Sequence, residues 1–440
     1  MQTLQSSLAA TAALLASGTC LFAQDLIPKA APQDHPILLR GATLHTVSGE
    51  VHKGGDLLFV DGKIQSVSPG TLESELEGLE VIDASGKHVL PGFVLATSTL
   101  GLVEVESVDM TIDTSEAGTT KPEVYAAVAV NPDSWWLPVA RRNGVLVAGV
   151  FPQGGLVPGR ASVMELDGWT WEDMAIERDG GLSVSWPSMG ASRSRRFRRG
   201  GGSGNAEERI ANLDRLFDAA IAYAAAKAKD ATVATDLRFE AMRSVLEGKR
   251  PVYLSVTTEE QADAAITWAV GKGLKPAIVG GRDALHFAEL LKRHDVPVAI
   301  TGTHRLPHRR DLSHRSTYQL PVKLEEAGVR WCLSMRARDS ANARNLVYEA
   351  AASVAHGLSP EAALRSITLG PAEFLGVADR LGSLDKGKHA TMILTDGHPF
   401  ELTSKIERAW IQGREIVLED KQTALYGKYR EKYRQQGRIK

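Results

Sequence analysis

The sequence has little cysteine and little net charge. Its 440 residues include two cysteines, Cys20 and Cys332, and carry a formal net charge of −2. Because Cys20 falls inside a segment that we expect to be removed, the mature protein would keep one cysteine, which excludes an intrachain disulfide. A net charge so close to zero provides no general attraction to nucleic acid or to an anionic membrane. We therefore expect no nucleic-acid partner.

Long hydrophobic runs are also missing. The apolar run at residues 8–16 is too short to span a bilayer. It is followed by small residues that end at Ala23, and this combination is typical of a secretory signal peptide over residues 1–23. The alternative is a buried N-terminal helix, which the polar and proline-containing residues 24–36 disfavour. We therefore expect an exported protein, periplasmic or extracellular, without a membrane span.

Signatures of nucleotide binding and of serine nucleophiles are absent as well. The glycine-rich residues 200–204 lack the preceding strand and following helix that a phosphate-binding loop requires. No G-x-S-x-G elbow is present, and the sequence places no base beside Ser98, Ser334 or Cys332. The basic run at residues 193–199 is predicted as a solvated loop, because no basic excess elsewhere supports binding of nucleic acid.

Short strands separated by turns are predicted near both ends of the chain. The first group lies within residues 37–82, with the Asp61-Gly62 pair as a hairpin turn. Similar segments return at residues 390–395 and 406–414. Two sequence-distant groups on either side of an α/β middle predict one small β-sandwich assembled from both termini.

The middle of the chain alternates apolar strands with helical segments, which predicts βα units. The predicted strands are residues 145–151, 251–256, 277–279, 296–301 and 329–334. The predicted helices are residues 206–229, 259–272, 283–293, 343–356 and 360–367. The predicted fold class is therefore α/β, a TIM-like (β/α)8 barrel with irregular early strands and a β-sandwich built from both termini. The expected domains are residues 1–23 (signal peptide), 24–90 and 386–420 (the two halves of the β-sandwich), 91–385 (the barrel) and 421–440 (a C-terminal tail).

One segment resembles a metal-hydrolase signature from which the metal ligands are missing. Residues 89–102 read V-L-P-G-F-V-L-A-T-S-T-L-G-L, which resembles the V-x-P-G-[FLM]-[IV]-D-x-H-x-H-x-G run of the amidohydrolase superfamily. The resemblance implies that this run leaves the first barrel strand, where its two histidines bind a divalent metal. Thr97 and Thr99 stand at the histidine positions, and Leu95 stands at the aspartate position. A threonine hydroxyl stays protonated near neutral pH and is a poor zinc ligand.

Other segments carry the resemblance without any catalytic residue. Residues 362–376 resemble the superfamily's A-L-x-x-x-T-x-N-P-A-x-x-L-G run, and residues 380–391 resemble the L-G-S-I-x-x-G-K-x-A-D run that leads back into the β-sandwich. We expect the helix there to stop before Pro371 and Gly382 to permit a turn. Residues 154–160 look most similar to the imidazolonepropionase-like and prolidase-like branch.

The resemblance also implies ligands from later strand ends, with histidines after the fifth and sixth strands and an aspartate after the eighth. Ser255, or Thr257 in the alternative register, stands at the fifth-strand position. Gly280 stands at the sixth-strand position and Met335 at the eighth. Zinc or another divalent metal is the superfamily's norm, but none of these side chains is a zinc ligand. We therefore predict no bound metal and a cleft less charged than that of an active enzyme.

Other residues near the expected barrel mouth are candidates for a polar cleft. His304 and His308 follow the seventh predicted strand, on the side where barrel active sites are found. Asp339 is a candidate for a displaced carboxylate. The alternative is a polar loop in which the histidines meet solvent or backbone and Asp339 pairs with Arg336 or Arg338.

The resemblance implies hydrolysis of non-peptide C–N bonds in cyclic amides or related small substrates by metal-activated water. The residues at the ligand positions instead favour a non-catalytic descendant that keeps the cleft for a small-molecule ligand. The alternative is an active metal-dependent amidohydrolase or dipeptidase whose ligands lie elsewhere in the sequence. Loss of the chemistry in an intact fold also leaves open a homo-oligomer or a partnership with an active paralogue.

Overall fold

A computed structural model describes residues 25–188, 206–336 and 340–439. The predicted signal peptide, the basic run at residues 193–199 and Asp339 lie outside the described residues. The strands are β1 (Ile37–His45), β2 (Val51–Val60), β3 (Lys63–Ser68), β4 (Glu80–Asp83), β5 (His88–Pro91), β6 (Phe93–Ser98), β7 (Val145–Val150), β8 (Gly159–Glu165), β9 (Ala175–Ser185), β10 (Val252–Ser255), β11 (Pro276–Gly280), β12 (Val298–Thr301), β13 (Trp331–Ser334), β14 (Met392–Thr395), β15 (Ile406–Ile411) and β16 (Arg414–Glu415).

The α-helices of the described residues are α1 (Trp136–Arg141), α2 (Trp171–Met174), α3 (Ala206–Lys229), α4 (Leu237–Leu246), α5 (Glu259–Gly271), α6 (Ala288–Arg293), α7 (Ser316–Glu326), α8 (Leu346–Ala355), α9 (Pro360–Arg365), α10 (Leu369–Phe374) and α11 (Lys421–Gln435). Short 3-10 helices cover Asp109–Thr111, Ala126–Ala129, Ala284–Phe287 and Ser340–Asn345. None of the helices in the described ranges combines the length and the apolar composition that crossing a bilayer requires.

Strands from both ends of the chain form one sheet, as predicted. Its order is β16-β15-β14-β5-β1-β2-β3, and β4 also pairs with β1. The two ends are joined where β5 and β14 run antiparallel, with Val89 opposite Leu394. Strands β2 and β3 form the predicted hairpin. Asp61 and Gly62 both adopt a positive φ at its turn, which is the conformation that an Asp-Gly hairpin turn requires.

The second sheet is the predicted barrel, with strand order β13-β12-β11-β10-β9-β8-β7-β6. Strands β9 to β13 run parallel to one another, and β6 runs parallel to β7. Strand β8 runs antiparallel to both of its neighbours. The predicted irregularity of the early strands is therefore a reversal of β8. Five strands of a TIM-like barrel nevertheless present their carboxyl ends at one edge, next to those of β6 and β7.

The structure explains the glycines and the proline in the segments that resemble the amidohydrolase superfamily. A Cβ atom at Gly92 would lie 2.7 Å from Leu146 Cδ1, so only glycine lets the start of β6 pack this closely on β7. Gly382 has a φ of +89°, which confirms the predicted turn. The helix before Pro371 ends at Arg365, as predicted. Pro371 itself lies in the first turn of α10, where a missing N–H costs no helical hydrogen bond.

Three histidines meet at one end of the terminal sheet. His45 Nε2 and His88 Nδ1 lie 2.8 Å apart. The ring of His398 lies edge-on to both, with centroids 5.9 Å and 6.0 Å away. Burial, together with the neighbouring His88 and His398, lowers the pKa of His45 to about 4. The pKa of His88 is also lowered, mainly by burial. His45 and His88 are therefore uncharged at neutral pH.

Acidification is expected to destabilise the protein through His45. Between about pH 6.5 and pH 4 the unfolded chain binds a proton at this residue and the folded chain does not. The free energy of unfolding is therefore largest above this window, falls as the pH drops through it, and is lower by about 3 kcal/mol at pH 4. Urea unfolding of the wild type and of His45→Gln between pH 4 and pH 7 measures the effect. The exposed His314→Gln is the control, and an unchanged pH slope in His45→Gln would contradict the assignment.

Candidate functional site

The predicted ligand positions lie at the carboxyl ends of barrel strands. Thr97 is the next-to-last residue of β6, and Thr99 follows this strand. Ser255 and Gly280 are the last residues of β10 and β11, and Met335 directly follows β13. Because β6, β10, β11 and β13 point in the same direction around the barrel, all five positions lie at one end of it, the barrel mouth.

Hydroxyl groups join the first and last barrel strands at Thr97. Its amide N–H donates to Ser334 Oγ at 2.9 Å, and the Ser334 hydroxyl donates to the Thr97 carbonyl at 3.2 Å. The two hydroxyl oxygens lie 2.9 Å apart, and the Thr97 hydroxyl also donates to the Met335 carbonyl at 3.3 Å. Thr97 and Ser334 are both completely buried. These bonds connect β6 to β13. The hydroxyl groups of Thr97 and Ser334 therefore bond to each other and to the backbone, and not to the cleft.

Thr99 makes a second contact of the same kind. Its hydroxyl lies 3.1 Å from Ser340 Oγ, at the start of a 3-10 helix, and both residues are buried. Ser98, between the two threonines, donates its hydroxyl to the Gly149 carbonyl at 3.0 Å. The segment that resembles a metal-binding run therefore packs as part of the protein interior.

The fifth- and sixth-strand positions take no part in these contacts. Ser255 is exposed, and its carbonyl accepts a hydrogen bond from the Trp186 amide at 3.2 Å. Gly280 has a φ of +116°, and a Cβ atom there would lie 2.4 Å from the Val256 carbonyl oxygen. Any side chain at position 280, histidine included, would therefore require the backbone to move.

His304 and His308 contact different carboxylates and do not converge. His304 Nδ1 lies 3.9 Å from Glu349 Oε1, and its ring is partly exposed. His308 Nε2 lies 3.0 Å from Asp283 Oδ1. Burial and the positive charge of Arg282 lower the pKa of His308. The histidines are therefore polar loop residues with acidic neighbours, which is close to the alternative given for them above.

Glu349 is a buried carboxylate that the sequence reasoning missed. It lies in α8 and accepts hydrogen bonds from the amides of Thr303 at 2.5 Å and His304 at 3.0 Å, and from the Thr303 hydroxyl. These bonds fix the loop after β12 at the mouth. The available signal was that Glu349 is the one charged residue in the apolar helix Leu346–Ala355, because a charged residue in such a helix is rarely buried without partners.

Arginines lie in the loops after three successive strands: Arg282 after β11, Arg305 after β12 and Arg336 after β13. Burial, together with the positive charges of Arg282 and Arg336, lowers the pKa of Arg305 to about 10. Within the described residues, the buried Nε atoms of Arg282 and Arg305 have no hydrogen-bond partner. Arginine therefore supplies positive charge on this side of the mouth, which the expectation of a weakly charged cleft did not include.

Cys332 offers no alternative nucleophile. It lies inside β13 and is buried, and burial raises the pKa of its thiol well above the usual range. The reactive form of cysteine is the thiolate, so this side chain is a core residue at neutral pH.

Comparison with known proteins agrees with this architecture. The sequence profile described as the amidohydrolase family matches residues 208–417. A crystal structure of an amidohydrolase from Thermotoga maritima MSB8 superposes with a TM-score of 0.78 at 26% sequence identity, covering 87% of this chain and 99% of that chain. The chain belongs to the amidohydrolase superfamily.

More distant amidohydrolase-like structures share the fold. Molinate hydrolase gives a TM-score of 0.54 at 15% identity, covering 89% of this chain and 96% of that one. A putative prolidase from Bifidobacterium longum gives 0.53 at 15% identity, covering 91% and 100%. Amidohydrolase tasK of Hapsidospora irregularis is 38% identical over 72 residues, which are 16% of this chain and span only 7% of that relative's length.

The residues at the mouth of this amidohydrolase-superfamily chain do not fit the superfamily's metal. Zinc is bound by imidazole, thiolate and carboxylate groups, whereas the positions in question carry hydroxyl groups, a glycine and a thioether. Among residues 25–188, 206–336 and 340–439, no three His, Cys, Asp or Glu side chains are grouped so that they could hold a metal ion. The described residues therefore offer no set of ligands for a zinc ion that would activate water.

Proposed function

We propose that this amidohydrolase-superfamily protein is a non-catalytic descendant that binds a small anionic molecule at its barrel mouth. The observation that carries the proposal is the bonded pair of buried hydroxyls, Thr97 and Ser334, where the superfamily would place metal ligands. A protein that activated water there would need strong donors directed into the cleft. Here the Thr97 and Ser334 hydroxyls bond to each other instead.

The chemistry of the ligand follows from the arginines. Guanidinium groups bind carboxylate and phosphate oxygens with paired N–H donors. Arg282 and Arg305 each have a buried Nε atom without a partner in the described residues, and such a group costs free energy unless a ligand or water satisfies it. Glu349 and Asp283 are the acidic side chains whose charge acts on Arg305, but Glu349 is already bonded to the Thr303–His304 backbone. An anion is therefore the ligand that this side of the mouth favours.

The test is performed on the purified protein. We expect sub-stoichiometric zinc by elemental analysis, no hydrolysis of cyclic amides or dipeptides with added zinc, and binding of succinate or inorganic phosphate by calorimetry. Near-stoichiometric zinc together with hydrolysis would instead establish the active enzyme. If neither anion binds and no substrate is hydrolysed, the proposal that the barrel mouth binds a small anion is wrong.

Arg305→Met is expected to weaken anion binding by at least about tenfold, because it removes a charge-assisted hydrogen bond while keeping the length of the side chain. Arg310→Met is the matched control, since Arg310 lies in the same loop and is exposed. Equal losses in the two variants would mean that general positive charge, and not a site at Arg305, attracts the anion.

A further inference from the structure

Helix α11 differs from the other long helices because it buries none of its residues. It begins at Asp420, whose side chain accepts a hydrogen bond from the Thr423 amide at 2.7 Å and completes a capping box. From Ala424 through residue 439, every described residue is exposed. The helix therefore has a well-defined start on the protein surface, and along most of its length no described residue buries it.

The apolar side chains of α11 share one face. At about 100° per residue, four exposed side chains fall within an arc of about 100°: Leu425, Tyr426, Tyr429 and Tyr433. Tyrosine combines an apolar ring with a polar hydroxyl tip, and such rings are favoured where an apolar phase meets water.

Basic residues flank this face on both sides. Lys428 and Lys432 lie along one border, and Arg430 and Arg434 lie along the other. The helix carries five basic residues and one acidic residue, Glu431, although the whole chain has a net charge of −2. Glu431 lies on the opposite face and pairs with Arg434 at 2.7 Å. The positive charge is thus local to this helix.

The apolar face continues onto the body of the protein. Lys421 at the start of α11 lies over the rings of Trp135 and Trp136. A groove of about 520 Å³ beside it is lined by Leu26, Trp135 and Leu425, among others, and Leu26 is 73% exposed. A continuous apolar strip therefore runs from this groove along the helix, with cations on its borders.

We propose that α11 and the adjoining groove dock on an anionic phospholipid surface. A helix that lies in a bilayer interface places its apolar face among the acyl chains and its lysines and arginines against the headgroups. The strip of Leu26, Leu425 and the tyrosines supplies the apolar face. The lysines and arginines on its borders supply the positive charge that headgroups attract. A single-stranded nucleic acid would also accept stacked tyrosines and cations, but it gives no role to the exposed leucines that continue the strip.

The experiment is co-sedimentation of the full chain with vesicles of phosphatidylcholine, with and without phosphatidylglycerol. We expect binding only to the anionic vesicles and weaker binding at higher salt. Lys428→Gln with Lys432→Gln should weaken it about 25-fold, since each basic residue near an anionic surface contributes roughly a factor of five. Tyr426→Ser with Tyr429→Ser should weaken it about tenfold or more.

The control is Gln435→Ser with Gln436→Ser, which shortens side chains without changing the charge and should bind as the wild type does. Every variant keeps residues 8–16, so differences among them report on the helix. Circular dichroism confirms that each variant is folded. Equal binding by all variants, no binding to anionic vesicles at low salt, or binding of a labelled oligonucleotide but not of vesicles would each overturn the proposal.

Discussion

Changing Thr97 and Thr99 together to histidine is expected to lower the free energy of unfolding by about 4 kcal/mol and to produce only weak zinc binding. Both threonines are completely buried, so two larger rings overpack the mouth at about 1–3 kcal/mol each. The Ser334 hydroxyl also loses its contact with the Thr97 hydroxyl, at about 1 kcal/mol, while its two bonds to the Thr97 backbone remain. Two histidines are fewer than the three protein ligands that a catalytic zinc normally has, and they lack oriented supporting groups.

Urea unfolding and zinc competition with a chelator measure the two effects. The control is Thr97→Val with Thr99→Val, which removes the same hydrogen bonds at nearly constant volume and should cost about 2 kcal/mol. Tight zinc binding by the histidine variant at unchanged stability would show that the mouth is still shaped as a metal site, and the proposed loss of catalysis would then fail.

Gly280→Ala is expected to destabilise the protein by about 3 kcal/mol, because alanine is strained at a positive φ and its Cβ atom meets the Val256 carbonyl. Gly273→Ala provides the comparison. Gly273 also has a positive φ, of +71°, but a Cβ atom there meets nothing within 4 Å, so that variant should lose only about 1 kcal/mol. Unfolding midpoints in urea give both values, and equal losses would mean that the carbonyl moves away at little cost.

The Gly280 result bears on the restoration of a metal site. Gly280→His carries the same Cβ atom as Gly280→Ala. Adding Gly280→His to a variant that already carries Thr97→His, Thr99→His, Ser255→His and Met335→Asp should therefore not increase its zinc affinity further. A clear gain would show that this strand end can relax. The present backbone indicates that the sixth-strand position has changed in shape as well as in side chain.

The fold was largely predictable because its signals are local. The Pro91-Gly92 frame, the Asp61-Gly62 hairpin and the long helix over residues 206–229 each depend on neighbours in the sequence. Strand β9 was missed because it carries charged residues, such as Glu177, that only the folded protein explains. Glu177 pairs with Arg250 at 2.5 Å and with Arg380 at 3.4 Å. Strand β8 was not predicted either, and its reversal could not have been, since the local sequence pattern does not indicate the direction of a strand.

The site was predictable only in part, for the same physical reason. The carboxyl ends of parallel strands lie together, so Thr97 and Met335 could be assigned to one edge. Ser334, considered only as a lone nucleophile, has its partner 237 residues away. The arginines at the mouth were missed because the prediction of little charge considered only the residues at the ligand positions. It did not consider the loops that follow the strands.

The pairing of β5 with β14 has a consequence for how the chain folds. Val89 meets Leu394, so about 300 residues must be synthesised between the two partners. Until β14 arrives, the edge of β5 presents unpaired backbone groups and apolar side chains, which is the arrangement that promotes association between incomplete chains. Such non-local pairing also raises the contact order and slows folding. Truncated chains that end before residue 392 are therefore expected to aggregate instead of folding to a smaller stable unit.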